Sequence, residues 1–160
     1  MKINADKILF SLVMVFAGLP IQACCNYKSI LQTQKAVLMI KTDTVKIKIT
    51  IGGKTVTAIL YDNPTSKDFA AQLPLTLKME DYNKTEKISM LTQKLSSKNA
   101  PSGMRPVSGD ITYYEPWGNL ALFYKGFGYS NGLIAMGKIT SCLEIFEVSG
   151  TITASFEVLQ

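Results

Sequence analysis

Residues 109–139 read GDITYYEPWGNLALFYKGFGYSNGLIAMGKI, and this stretch decides the fold. Turn formers interrupt it at 116–119 and again at 126–132. Aromatic residues favour strands, whereas Gly, Pro and Asn favour tight turns. The stretch therefore predicts antiparallel strands near 109–114, 119–124 and 132–139 that meet at a groove. Seven aromatic residues lie within it: Tyr113, Tyr114, Trp117, Phe123, Tyr124, Phe127 and Tyr129.

Five further segments show the period-2 alternation of apolar and polar residues that is typical of half-buried strands. The first two are joined by Gly52-Gly53, a pair suited to a two-residue hairpin turn because glycine accepts positive φ. Asp81 to Lys84 supplies a second turn. The five predicted strands are 45–51, 54–61, 75–80, 86–91 and 151–159.

Two capping boxes predict two short helices. Thr65 with Asp68 predicts a helix over about 66–73, which Pro74 would end. Ser141 with Glu144 predicts a second one near 141–147. The polar, Pro/Gly/Ser-rich segment 92–108 is predicted to be one loop.

These elements define an all-β fold class. Eight short amphipathic strands and two short helices fit one domain, without the βα alternation of a parallel sheet. Closure removes exposed strand edges, so we predict a closed eight-stranded antiparallel barrel.

The N-terminus has the pattern of a secretory signal. Lys2 and Lys7 precede an apolar run from Ile8 to Ile21, and Cys24 follows Ala23. We predict a signal peptide over 1–23, a tether over 24–43 and the domain over 44–160. The sequence around Cys24 resembles a lipobox, which predicts lipidation there and a membrane-anchored protein of the cell envelope. Plain secretion and an uncleaved anchor are the alternatives, and each places the domain outside the cytoplasm.

The remaining cysteines are Cys25 and Cys142. One disulfide between them is compatible with an oxidising compartment. The other interpretation, which we favour, is that Cys142 is a small buried apolar residue.

Composition excludes several kinds of chemistry. The chain has no histidine, which excludes Ser-His-Asp and Cys-His nucleophile systems and removes the commonest zinc ligand. Acidic residues are dispersed, so no metal site and no cofactor are expected. Cleavage after residue 23 would lower the net charge from +5 to +4. These charges are scattered, and we expect no nucleic-acid partner.

The segments LYDNPTSKDFAAQLPLTLKMEDY (60–82) and 109–139 resemble the bacterial cyclophilin-like domain proteins of undefined activity. The resemblance covers about residues 45–159 and implies the cyclophilin-like barrel. Prolyl isomerases of that fold carry a Phe-His-Arg motif, and this chain has LKMEDY and EKISML near that place. Ala121 to Tyr124 matches the groove strand, so part of an apolar floor is expected. Arg105 does not match the motif arginine, although its loop could bring it to the groove if the protein is an isomerase.

Two functions follow from this pattern. The first is a non-catalytic module that binds a peptide or small molecule in an aromatic groove, and the second is a divergent prolyl isomerase. The aromatic side chains could instead be ordinary barrel packing, and the cluster of Asp81, Tyr82, Glu86 and Lys87 is interpreted as surface ion pairing. The candidate ligand-binding residues are Tyr113, Tyr114, Trp117, Asn119, Phe123, Tyr124 and Tyr129.

Overall fold

The structure is a computed structural model that describes residues 44–159. The predictions for the signal peptide 1–23, the tether 24–43, lipidation of Cys24 and pairing of Cys25 lie outside the described residues. No helix within 44–159 is long and apolar enough to cross a membrane.

The described residues form a closed antiparallel barrel, as predicted. Its strands follow one another around the barrel in the order β1-β10-β3-β4-β7-β6-β9-β2. The strands β5 and β8 form a separate two-stranded sheet. The bounds are β1 Val45–Ile51, β2 Lys54–Leu60, β3 Leu75–Tyr82, β4 Glu86–Met90, β5 Gly103–Met104, β6 Asp110–Tyr114, β7 Asn119–Phe123, β8 Ser130–Asn131, β9 Leu133–Ile139 and β10 Ile152–Val158.

The apolar positions of the alternating strands fill the barrel. Ile47 and Ile49 of β1 lie opposite Ala58 and Val56 of β2, so these side chains share the inner face. Phe69 and Phe156 meet edge to face, with ring centroids 5.9 Å apart. Burial of this apolar surface is the main force that holds the barrel together.

The single α-helix of the described region, α1 (Pro64–Ala71), begins earlier than predicted. Its N-cap is Asn63, whose Oδ1 accepts a hydrogen bond from the backbone N–H of Ser66 at 2.9 Å. Thr65 and Asp68 do not form the predicted capping box. They bind the following loop instead: Thr65 donates to the carbonyl of Ser96, and Asp68 accepts from the Ser96 N–H.

The second predicted helix is a 3₁₀ helix of four residues, Leu143–Phe146. Ser141 does not cap it, because the capping position is held by Cys142 in the left-handed conformation, with φ 51°. The prediction that Cys142 is buried is wrong, since its side chain is exposed. Its place on this tight turn directs it away from the core.

The segment 92–108 is mostly loop, but it contains β5. This strand pairs with β8, which lies in the second turn of the aromatic stretch. The two segments lie close together at Gly103, where an added Cβ would overlap the carbonyl oxygen of Ser130. They stand beside the outer face of β9, where Met104 contacts a second apolar cluster of Ala121, Phe123 and Leu133.

Candidate functional site

The wall formed by β4, β7, β6 and β9 packs apolar side chains on its outer face as well as on its inner one. In β7, Leu120 and Leu122 belong to the barrel core, whereas Ala121 and Phe123 belong to the outer cluster. Directly opposite residues of antiparallel strands share a face. The register therefore places Glu86 and Phe123 together on the outer face, since they are cross-strand partners.

A pocket with a volume of about 180 Å³ opens on this outer face. Strands β3, β4, β6, β7 and β9 and the turns between them supply its walls. Most of the lining is aromatic or apolar. The lining residues are Tyr82, Asn83, Glu86, Ile88, Tyr114, Trp117, Asn119, Phe123, Phe127, Ser130 and Leu133.

Trp117 lies on the four-residue turn between β6 and β7. The N–H of Gly118 donates to the carbonyl of Tyr114 at 2.9 Å, which closes the turn. The indole is half exposed and stands edge-on to two tyrosine rings, with centroids 5.4 Å from Tyr114 and 6.0 Å from Tyr82. These contacts fix the orientation of Trp117 while they leave part of the indole open to a ligand.

The turn that carries Trp117 rests on the start of β9. Gly132 accepts the N–H of Glu115 through its carbonyl at 2.9 Å. A Cβ on Gly132 would meet Cδ of Pro116 at 2.7 Å, and its φ is +75°. This position therefore requires glycine, because the close approach of Pro116 and the left-handed backbone both exclude a larger residue.

Among the described residues that line the pocket, Glu86 is the only one with a carboxylate. Its side chain is largely buried. No described residue donates a hydrogen bond to its carboxylate or forms an ion pair with it. Burial in this apolar setting raises the pKa of Glu86 to about 7, because desolvation disfavours the charged form.

Asn119 carries an unsatisfied polar atom in the pocket. Its Oδ1 is buried and has no hydrogen-bond partner among the described residues. Its Nδ2 makes only a long contact, 3.4 Å, with the carbonyl of Leu120. Buried polar atoms are nearly always paired, so an unpaired acceptor beside a pocket marks a place where a ligand donor fits.

The polar cluster around Asp81 is divided between the two faces of the wall. Lys87 is fully buried on the inner face, and its Nζ donates to Asp81 Oδ2 at 2.8 Å. It also donates to the carbonyls of Val148 and Gly150. The interpretation of this cluster as surface ion pairing is therefore wrong for Lys87, whose ammonium ties the β10 end of the barrel to β4.

The Lys87–Asp81 ion pair affects the pKa of Asp81 and of the neighbouring Tyr124. The hydrogen bond from Lys87 holds the pKa of Asp81 below its usual range. Tyr124 Oη donates to the same carboxylate oxygen at 2.9 Å. Desolvation, with the contribution of Asp81 second, raises the pKa of Tyr124 to about 12.

The structure brings together four of the seven residues proposed from the sequence: Tyr114, Trp117, Asn119 and Phe123 all line the pocket. Tyr113 lies inside the barrel, where its hydroxyl accepts the N–H of Leu95 at 3.3 Å. Tyr124 turns toward Asp81, and Tyr129 is exposed with its hydroxyl 3.2 Å from Ser102 Oγ. Alternation along β6 explains why Tyr113 and Tyr114 face opposite ways.

Arg105, the residue considered for an isomerase, is exposed and does not line this pocket. The sequence interpretation missed Tyr82, Ile88, Phe127 and Leu133, and it assigned Glu86 to the surface. One signal in the sequence could have identified Glu86 as a pocket residue. Glu86 lies two positions before Ile88 on β4, so the two side chains are on the same face, whereas Lys87 between them faces the core. No metal-binding group of His, Cys, Asp and Glu is present in residues 44–159.

Comparison with known proteins agrees with this barrel. The model of the Cyclophilin-like family matches residues 49–157. The chain therefore belongs to the cyclophilin-like family. It is also similar to the solution structure of a hypothetical protein from Archaeoglobus fulgidus, with a TM-score of 0.53 and 14% identity over 76% of this chain and 99% of the other. That likeness shows the fold alone. No curated protein matches the chain.

Proposed function

We propose that this cyclophilin-like domain is a non-catalytic binding module that holds a peptide or small ligand in the outer pocket. The composition of the pocket supports this function. Five aromatic rings surround an apolar floor. Among the described lining residues, Glu86 has no ion-pair partner and the Oδ1 of Asn119 has no hydrogen-bond partner. Small-molecule sites have this character, a concave apolar surface with a few polar groups that fix orientation.

Catalysis of prolyl isomerisation by this fold needs a donor aimed at the twisting amide. A preorganised donor of this kind is worth about 2.7–4 kcal/mol of transition-state stabilisation. None of the residues between 44 and 159 that line the pocket is an arginine, lysine or histidine. None of these lining residues therefore replaces the arginine of the Phe-His-Arg motif, which this chain lacks at the corresponding place.

Divergent prolyl isomerisation is the second candidate, because one part of such a groove is retained. Ile88, Phe123 and Leu133 give the pocket an apolar floor that a proline ring would fit. An isomerase without the arginine would depend on desolvation of the X-Pro amide, which lowers the barrier to rotation only in part.

Two measurements on the purified domain separate these functions. Trp117 is the single tryptophan of the chain, so its fluorescence reports on the pocket alone. A screen of peptides and small molecules should give hits that change this fluorescence, and Trp117→Ala should weaken their binding, as read by ligand-observed NMR. A proline-peptide assay should show no acceleration. Cyclophilin-like acceleration that Arg105→Ala removes would instead establish the isomerase and make Arg105 its donor.

The binding module is further proposed to work in the cell envelope, anchored by lipid on Cys24. The support is the sequence around residues 1–24, and mass spectrometry of membrane fractions tests it. A mature chain that begins elsewhere, or an unmodified Cys24, would contradict the anchor without affecting the pocket.

A further inference from the structure

Glu86 is a buried carboxylate that no described residue neutralises. Lys87 is adjacent to it in sequence, but alternation sends this side chain to the inner face, where Asp81 and two backbone carbonyls use its three donors. The exposed ion pairs Lys48–Glu157 and Lys67–Asp62 lie on other parts of the barrel. An ionised carboxylate left in this setting is costly unless a cation joins it.

Aromatic rings flank Glu86 on both neighbouring strands. Its direct cross-strand partners are Tyr82 on β3 and Phe123 on β7. Both of these side chains line the pocket, together with Phe127. Organic cations are attracted to aromatic rings and are held more strongly when the site is desolvated. The carboxylate and the rings thus favour the same kind of ligand group.

Asn119 stands at the other end of the pocket. It lies four residues before Phe123 on β7, which corresponds to about 14 Å along an antiparallel strand. Because Glu86 lies opposite Phe123, about the same distance along the strands separates Glu86 from Asn119. Trp117 and Tyr114 also line the pocket, and Tyr114 is the cross-strand partner of Asn119.

We propose that the pocket selects ligands with a cationic amino group, which binds Glu86 between Tyr82 and Phe123 while the apolar body of the ligand lies against Trp117. This inference rests on the proposed binding function and names its ligand class. A second N–H or O–H group on the ligand would donate to Oδ1 of Asn119.

The other ligand classes fit the pocket less well. An anionic ligand would meet Glu86, and no cationic side chain in the described lining would offset the repulsion. A neutral ligand with a hydroxyl or amide group can replace the hydrogen bonds of water to the carboxylate, but it gains neither the charge-assisted hydrogen bond nor the attraction of a cation to the rings. Only a cation satisfies the carboxylate and benefits from the surrounding rings.

A matched pair of probes tests the proposal. Phenethylamine and 2-phenylethanol share the phenyl ring and two-carbon chain, and they differ in the cationic nitrogen. Each is titrated into the purified protein at pH 8, where Glu86 is ionised. Trp117 fluorescence and ligand-observed NMR are the readouts. A charge-assisted hydrogen bond contributes about 1.5–3 kcal/mol, so the amine should bind at least about tenfold more tightly than the alcohol.

Three variants complete the experiment. Glu86→Gln should remove the preference for the amine and leave the affinity for the alcohol nearly unchanged. Glu115→Gln makes the same change of charge at an exposed residue of the Trp117 turn outside the pocket lining, and the preference should persist. Trp117→Ala should weaken both probes, as read by NMR.

The outcomes distinguish the two proposals. Equal binding of both probes, or a preference that survives Glu86→Gln, overturns the cation inference and leaves the binding function standing. Failure of the amine to bind also overturns the cation inference. If, in addition, no compound in a diverse fragment set perturbs Trp117, the binding function fails as well.

Discussion

The indole of Trp117 stands edge-on to the phenol ring of Tyr82, with ring centroids 6.0 Å apart and planes at 89°. Tyr82 is the last residue of β3, whereas Trp117 lies on the turn between β6 and β7. Two segments 35 positions apart in the chain thus form adjoining walls of one pocket. The indole therefore packs against the wall of the pocket, and its exposed half remains open to a ligand.

We expect Trp117→Ala to weaken ligand binding by at least about tenfold and to reduce stability by only about 1 kcal/mol. The stability loss reflects two edge-to-face contacts, and half of the indole is already in solvent. Binding is measured by calorimetry and stability by urea denaturation. Tyr129→Ala is the control, because Tyr129 is equally exposed but does not line the pocket. Equal loss of affinity in both variants would place the ligand outside this pocket.

Glu86→Gln should stabilise the domain at pH 8 and have little effect at pH 5. The pKa of Glu86 is about 7 in the folded protein against an ordinary value of 4.5. Folding therefore takes up a proton between these values, and the stability of the wild type falls as pH rises from about 4.5 to 7. The expected gain at pH 8 is on the order of 2 kcal/mol. Thermal unfolding of both proteins at the two pH values measures it, and a parallel pH dependence would show that Glu86 is not its source.

Asp81→Asn should destabilise the domain by about 3 kcal/mol, because it leaves the fully buried Lys87 without its counter-charge. The comparison is Asp62→Asn, which breaks an exposed ion pair with Lys67 and should cost less than about 1 kcal/mol. Denaturant unfolding at pH 7 gives both values. Equal effects in the two variants would mean that burial of Lys87 does not strengthen its dependence on Asp81.

The same pair predicts acid lability. Lys87 lowers the pKa of Asp81 below its ordinary value of 3.8 in the folded state. Its contribution to stability is therefore present above about pH 4 and is lost as pH falls through the lowered pKa. Unfolding followed from pH 5 down to pH 2 should be less steep in Asp81→Asn than in the wild type.

Gly132→Ala should impair the pocket more than it impairs the barrel. The new Cβ would meet Pro116 at 2.7 Å and displace the turn that carries Trp117. Gly52→Ala is matched in its positive φ of +56° but meets no atom within 4 Å. Both should cost about 1–2 kcal/mol in backbone strain. Only Gly132→Ala should change the fluorescence of Trp117 and lower ligand affinity, and an unchanged spectrum would show that the turn does not depend on Gly132.

The order and type of the strands could be predicted from the sequence because they depend on local pattern. Alternation in 45–51 and 152–158 and the turn formers of 109–139 are visible without knowledge of any partner strand. The helix caps were harder to predict from the sequence. Thr65 has the spacing of a cap to Asp68, but both bind Ser96, a residue of the loop that folds over them.

The sequence by itself determined that an antiparallel barrel forms, that histidine chemistry is excluded and that Trp117 stands at a turn. Only the tertiary structure decided which face of each strand is buried against what. Closure of the barrel sends Lys87 inward to carbonyls some sixty residues away and leaves Glu86 outward beside Phe123. The physical reason is that a strand pattern specifies two faces, whereas the burial and charge state of a side chain depend on residues that only folding brings next to it.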